Sequence, residues 1–169
     1  MSEETIINKV EQSGLITINL EEFYPEGQRK VIDIREQLIE DVLLREKSFR
    51  DYITSNDWSQ YQDCYVAVHC SVDAVIPHWA YMLVATAVQP FAKMVFFGNA
   101  ETLENKLFEQ IIDTMDMQLY QDARVIIKGC SDKPVPAAAY FYLAAKLRPM
   151  AKNIMFGEPC STVPVFKKK

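Results

Sequence analysis

Glycine is scarce in this 169-residue chain, and the five present are too few and too scattered to build a glycine-rich phosphate loop. No Cys-x-x-Cys, His-Glu-x-x-His or nucleophile elbow occurs, so any site must be assembled from distant segments. No apolar run is long enough to span a bilayer, which argues against a membrane protein. The opening MSEETIINKVEQSG has neither a basic nor an apolar signal region, so the expected compartment is the cytoplasm. There, four cysteines read as thiols, metal ligands or core residues rather than as a disulfide framework. Basic excess is missing too: the net charge is −5, and the tail Lys167, Lys168, Lys169 is too short to reverse it. Nucleic acid is therefore not expected as a partner.

What the chain does have is a written-out repeat. A shift of 59 positions carries Gln62 to Gly98 onto Gln121 to Gly157 without a gap, matching Gln62-Asp63 to Gln121-Asp122, Asp73 to Asp132, Pro77 to Pro136 and Pro90 to Pro149. Ala80-Tyr81, Ala92-Lys93 and Phe97-Gly98 recur as Ala139-Tyr140, Ala151-Lys152 and Phe156-Gly157, and Phe49 and Ile53 meet Phe108 and Ile112. The expectation is one domain over residues 1–169 containing a duplicated β-α-β unit, about 42–98 and 101–157. At this length, with 49% apolar residues, such a domain can bury a core without disulfide or metal staples.

Periodicity supplies the elements. Ile6, Ile7 and Val10 share one face of a short helix over residues 3–13. Leu15 to Phe23 alternates as a half-buried strand, Tyr24 to Gln28 is turn chemistry, and Lys30 to Ile34 is a second strand. Leu38, Val42, Leu43, Phe49 and Ile53 recur among charges as an outer helix over about residues 35–55. Tyr65 to His69, Lys93 to Phe97, the run RVIIKG and the run NIMFG read as further strands, the last being the final one. Between them, Pro77 and Pro136 open helices that Pro90 and Pro149 help close. Leu103, Leu107, Phe108, Ile111, Ile112 and Met115 mark another helix. This alternation predicts a three-layer α/β fold on a mostly parallel sheet. The helices begun by Pro77 and Pro136 are apolar almost all round, which predicts burial on both sides or a homodimer.

Three cysteines, each followed by Ser, come just after strands: Cys70, Cys130 and Cys160. Carboxyl ends of parallel strands share one edge, where open α/β sheets place ligands, so these thiols could converge. Three sulfurs suit zinc, iron or an iron–sulfur cluster, and Asp73, Asp132, His69 or solvent could fill a fourth position. Capping of the proline-started helices is the simpler role for Asp73 and Asp132. Burial as a small hydrophobe is the simpler role for Cys64, whose repeat mate is Ala123. His69 and His78 have Lys128 and Ala137 as mates, so a symmetric histidine site is excluded. A phosphatase-type loop at Cys70 fails, because Asp73 lies inside it and Ile76 stands where the anion-binding Arg belongs.

HCSVDAVIPHWAYML, KGCSDKPVP and FGEPCSTVP, with GLITINLEEFYPEG and LREKSFRDYI, resemble a bacterial family known as domain of unknown function 2480 over nearly the whole chain. The resemblance implies no particular reaction. It implies sulfur or iron–sulfur assembly proteins as partners. The functional expectation is thus a metal- or iron–sulfur-handling protein built on Cys70, Cys130, Cys160, Asp73 and Asp132. Its alternatives are an interaction module with packed cysteines and a metal-free redox thiol protein. Whether the chain is an enzyme stays open.

Overall fold

In the computed structural model, which describes residues 15–129, 132–158 and 160–169, the elements alternate from Leu15 to Lys167 as an α/β protein. The strands are β1 (Leu15–Ile18), β2 (Arg29–Asp33), β3 (Tyr65–His69), β4 (Met94–Phe97), β5 (Arg124–Ile127), β6 (Asn153–Glu158) and β7 (Ser161–Lys167). The helices are α1 (Glu46–Ser55), α2 (His78–Val88), α3 (Ala100–Thr114) and α4 (Ala137–Leu147). The helix expected over residues 3–13 lies outside the described residues.

Two sheets form where the alternation predicts one. β2-β3-β4 is wholly parallel, while β1-β5-β6-β7 is parallel up to β6 and ends in the antiparallel β7. β1, from the start of the described chain, pairs in parallel beside β5 and forms one edge of the second sheet. The chain correspondingly divides into two compact units, Glu26–Leu107 (the central unit) and Met1–Pro25 with Phe108–Lys169 (the terminal unit).

In the central unit YVAVH is buried on both faces, as its unbroken apolar run requires. Val66 and Val68 pack with Ile32, Phe49, Ala80, Val84 and Val88, which come from β2, α1 and α2. Tyr65 and Ala67 pack instead with Leu103 and Leu107 of α3. Arg29 ties β2 to α3 through Glu104, its Nε 2.8 Å from Oε1. In the terminal unit Val125, Ile127 and Ile154 pack with Phe108, Ile112, Ala139, Leu143 and Leu147.

Local chemistry sets the boundaries. Pro77 and Pro136 sit immediately before α2 and α4 in extended geometry, with ψ 139° and 149°, and neither helix has a side-chain cap. Asp73 is exposed and is not that cap; Asp132 is exposed as well. The outer helix begins at Glu46 rather than Arg35, because Glu40 and Asp41 take left-handed φ of 50° and 58° and Arg35 forks onto Asp41 at 3.0 and 2.7 Å. Likewise the strand expected over Leu15 to Phe23 stops at Ile18, where Asn19 accepts the Glu21 N–H at 3.3 Å and starts a 3₁₀ turn over Leu20–Phe23. NIMFG is not the final strand: β7 follows it as an edge strand, where Pro164 is tolerated, and the register slips by one residue between Ile154 and Met155.

Candidate functional site

The carboxyl ends of β2 and β3 lie side by side, with Asp33 paired in register to His69. Asp33 Oδ1 accepts the Arg35 N–H and the Ser71 N–H, each at 3.0 Å, so one carboxylate holds the turn after β2 and the loop after β3. Burial alone would raise the Asp33 carboxyl. Hydrogen bonds from the Ser71 hydroxyl and from the Arg35 and Ser71 N–H groups, with the nearby His69, bring it below the usual carboxylate value. Cys70, half-buried between His69 and Ser71, directs its thiol to the Val72 carbonyl at 3.6 Å. Arg35 and Tyr81 both lie within electrostatic reach of Cys70 and Asp33. Burial pushes the Tyr81 hydroxyl up, and the neighbouring Cys70 and Asp33 add to that. The Tyr81 ring meets Phe97 edge-on at 5.0 Å.

The terminal unit has different chemistry at the matching edge. Register places Ile18 beside Ile127 as Ile32 lies beside Val68, so Asn19 follows β1 where Asp33 ends β2. Lys128 stands for His69 and reaches Glu158 at 3.9 Å. Gly129 stands for Cys70, and a Cβ there would come within 2.5 Å of the Phe156 ring. Phe156 is 37% exposed and packs edge-on against Tyr140 at 5.6 Å, whereas its mate Phe97 is 71% exposed. Glu21 accepts the Lys133 N–H at 2.7 Å.

Of the five residues singled out from sequence, Cys70 lies at the central edge and Asp73 is exposed three residues on. Asp132 is exposed in the terminal unit, and Cys160 is exposed in the turn between β6 and β7. Cys130, which the 59-residue shift matches to Ser71 rather than to Cys70, lies outside the described residues. Among the described residues no three of His, Cys, Asp and Glu gather in a way that could hold a metal ion. Cys64 is buried at 3% exposure, as a packed small hydrophobe should be.

Sequence reasoning missed Asp33, Arg35 and Tyr81. A second offset carried the signal: a shift of 14 turns Ile18-Asn19-Leu20 into Ile32-Asp33-Ile34, a β-branched residue, a short polar cap and a buried apolar residue.

Residues 4–168 match the model of a family described as protein of unknown function (DUF2480). The chain belongs to this family. Nothing among curated proteins or solved structures matches it. In this DUF2480 protein no described helix is long and apolar enough to cross a membrane.

Proposed function

We propose that the chain is a duplicated β-α-β protein, with helices on both faces of its sheets, that works through a metal-free thiol, Cys70, at the carboxyl edge of the central sheet. One observation carries this reading: the Asp33 carboxylate binds the Ser71 N–H and so fixes the loop bearing Cys70 against the end of β2. The same contact sets the half-buried Cys70 beside the edge where Asp33 pairs in register with His69. In the chemistry proposed, Cys70 as thiolate attacks one sulfur of a small disulfide, forming a mixed disulfide and expelling the other sulfur as a thiolate. Exposure alone would rank Cys160 first, since it stands on an open turn.

Incubation with glutathione disulfide, followed by mass mapping of the modified cysteines against time, tests this. Cys70 should react faster than Cys160, and Asp33→Ala or His69→Ala should slow Cys70 alone. Equal or faster reaction at Cys160, or variants that change neither rate, would refute it.

A further inference from the structure

The edges of β6 and β4 match in sequence position but differ in cover. β6 is overlaid by antiparallel β7, with Ile154 opposite Phe166. The Phe166 ring packs on the terminal core, and the Arg148 guanidinium sits 3.9 Å above it. Shifted back by 59, Ile154 becomes Val95 and Arg148 becomes Gln89. Both of these line an open apolar groove of about 300 Å³ in the central unit, with Val68, Tyr81, Met82, Ala85, Phe96 and Phe97. The groove is thus the seat that Phe166 fills in the terminal unit. Among the described residues no strand pairs with the free edge of β4.

β4 is short, but its sequence carries no other protection of an edge. MVFF contains no charge and no proline, with Phe97 71% and Met94 39% exposed, and Met82 on the adjoining helix is 66% exposed. The geometry points to a second copy of this chain as the occupant, its β4 pairing antiparallel with this one across a two-fold axis.

Register follows from which face each side chain uses. Val95 packs on the α2 side and Phe97, paired to Val68, lies on that same side, while Phe96 packs on the α3 side. Residues directly opposite in an antiparallel pair point to the same face, so a two-fold at Phe96 places the partner's Phe97 opposite Val95. The partner's Phe97 then enters the groove as Phe166 does beside Ile154, and the exchange is reciprocal.

Charge agrees with this arrangement. The pairing sets Lys93 opposite the partner's Asn99, two residues from the partner's Glu101 in the acidic first turn of α3, whereas a parallel arrangement would stack Lys93 on Lys93. A four-residue edge spans only about 13 Å. The contact should therefore fall short of the roughly 800 Å² per partner of a standard interface, and association should be weak.

Sedimentation equilibrium of the full chain between about 1 and 500 µM, the range where a contact below standard size should dissociate, tests the proposal. The wild type should pass from monomer to dimer. Phe97→Lys should remain monomeric, Met82→Lys should weaken the dimer at least tenfold, and Phe141→Lys, an equally exposed aromatic on α4, should dimerise as the wild type does. Circular dichroism and thermal melting establish that each variant is folded; Met82→Lys serves if Phe97→Lys is not. A wild type that stays monomeric overturns the proposal, as does a dimer indifferent to both groove substitutions. A monomer that instead binds a peptide of sequence STVPVFK also overturns it, and assigns the groove to a foreign strand.

Discussion

The central and terminal sheets present the same edge with opposite contents. In the central unit Asp33, His69 and Cys70 stand where the terminal unit has Asn19, Lys128 and Gly129. Phe156 packs where a Cβ on Gly129 would have to go, while Phe97, edge-on to Tyr81, is 71% exposed. The polar cap after the first strand is retained in both, as Asn or Asp, because the 3₁₀ turn needs an acceptor. On the proposed duplication, framework positions match and chemical positions diverge, so the divergent edge with the thiol is where function is to be sought.

The largest expected effect tests the shared framework. Phe49 and Phe108 are mates, at 1% and 0% exposure, one in each core. Truncation of either to Ala should cost about 3–5 kcal/mol. The two losses, read by urea unfolding, should agree to within about 1 kcal/mol. A much smaller loss at one site would show that the two cores are not built alike.

Gly129→Ala comes next. Its new Cβ would collide with Phe156, and displacing a packed ring should cost about 1–3 kcal/mol. Combining it with Phe156→Ala should remove most of that penalty. A single substitution without cost would mean that the ring moves aside freely and that Gly129 is not required there.

Asp33→Asn, which copies Asn19, should have the smallest effect, a modest loss of stability at neutral pH that disappears in acid. The Asp33 carboxyl is held below its unfolded value, so its contribution is present above the unfolded pKa and is lost as pH falls through the lower folded value. Wild-type stability should therefore fall more steeply than that of the variant below about pH 4. Asp41, Asp57 and Asp122 are also held low, by Arg35, by Ser59 and by Gln121 with Lys168, and contribute the same acid loss to both proteins. Identical acid limbs in denaturant melts would contradict the clamp.

Much of the framework could be read from residues alone. Pro77 with Pro90 and Pro136 with Pro149 mark α2 and α4 closely, and YVAVH declares a strand buried on both faces. Spacing alone extends the outer helix too far toward Arg35, because Val42 and Leu43 keep helical spacing yet are 70% and 56% exposed in the loop fixed by Arg35 and Asp41. The sheet split was invisible, since which strand pairs with β5 depends on a contact between Leu15–Ile18 and Arg124–Ile127, far apart in sequence. Of the site, Cys70 was legible as a residue after a strand. Asp33 was not, because its role comes from a hydrogen bond to Ser71, 38 residues away.

Whether the central edge carries a free reactive thiol or one ligand of a three-cysteine metal site is decided by protein purified anaerobically from cells, with thiols trapped at lysis. Metal content and the mass of the Cys70 peptide would be measured on the same sample. The account predicts no stoichiometric metal and a fraction of Cys70 held as a mixed disulfide. Stoichiometric zinc or iron, lost on Cys70→Ser, Cys130→Ser or Cys160→Ser, would contradict it.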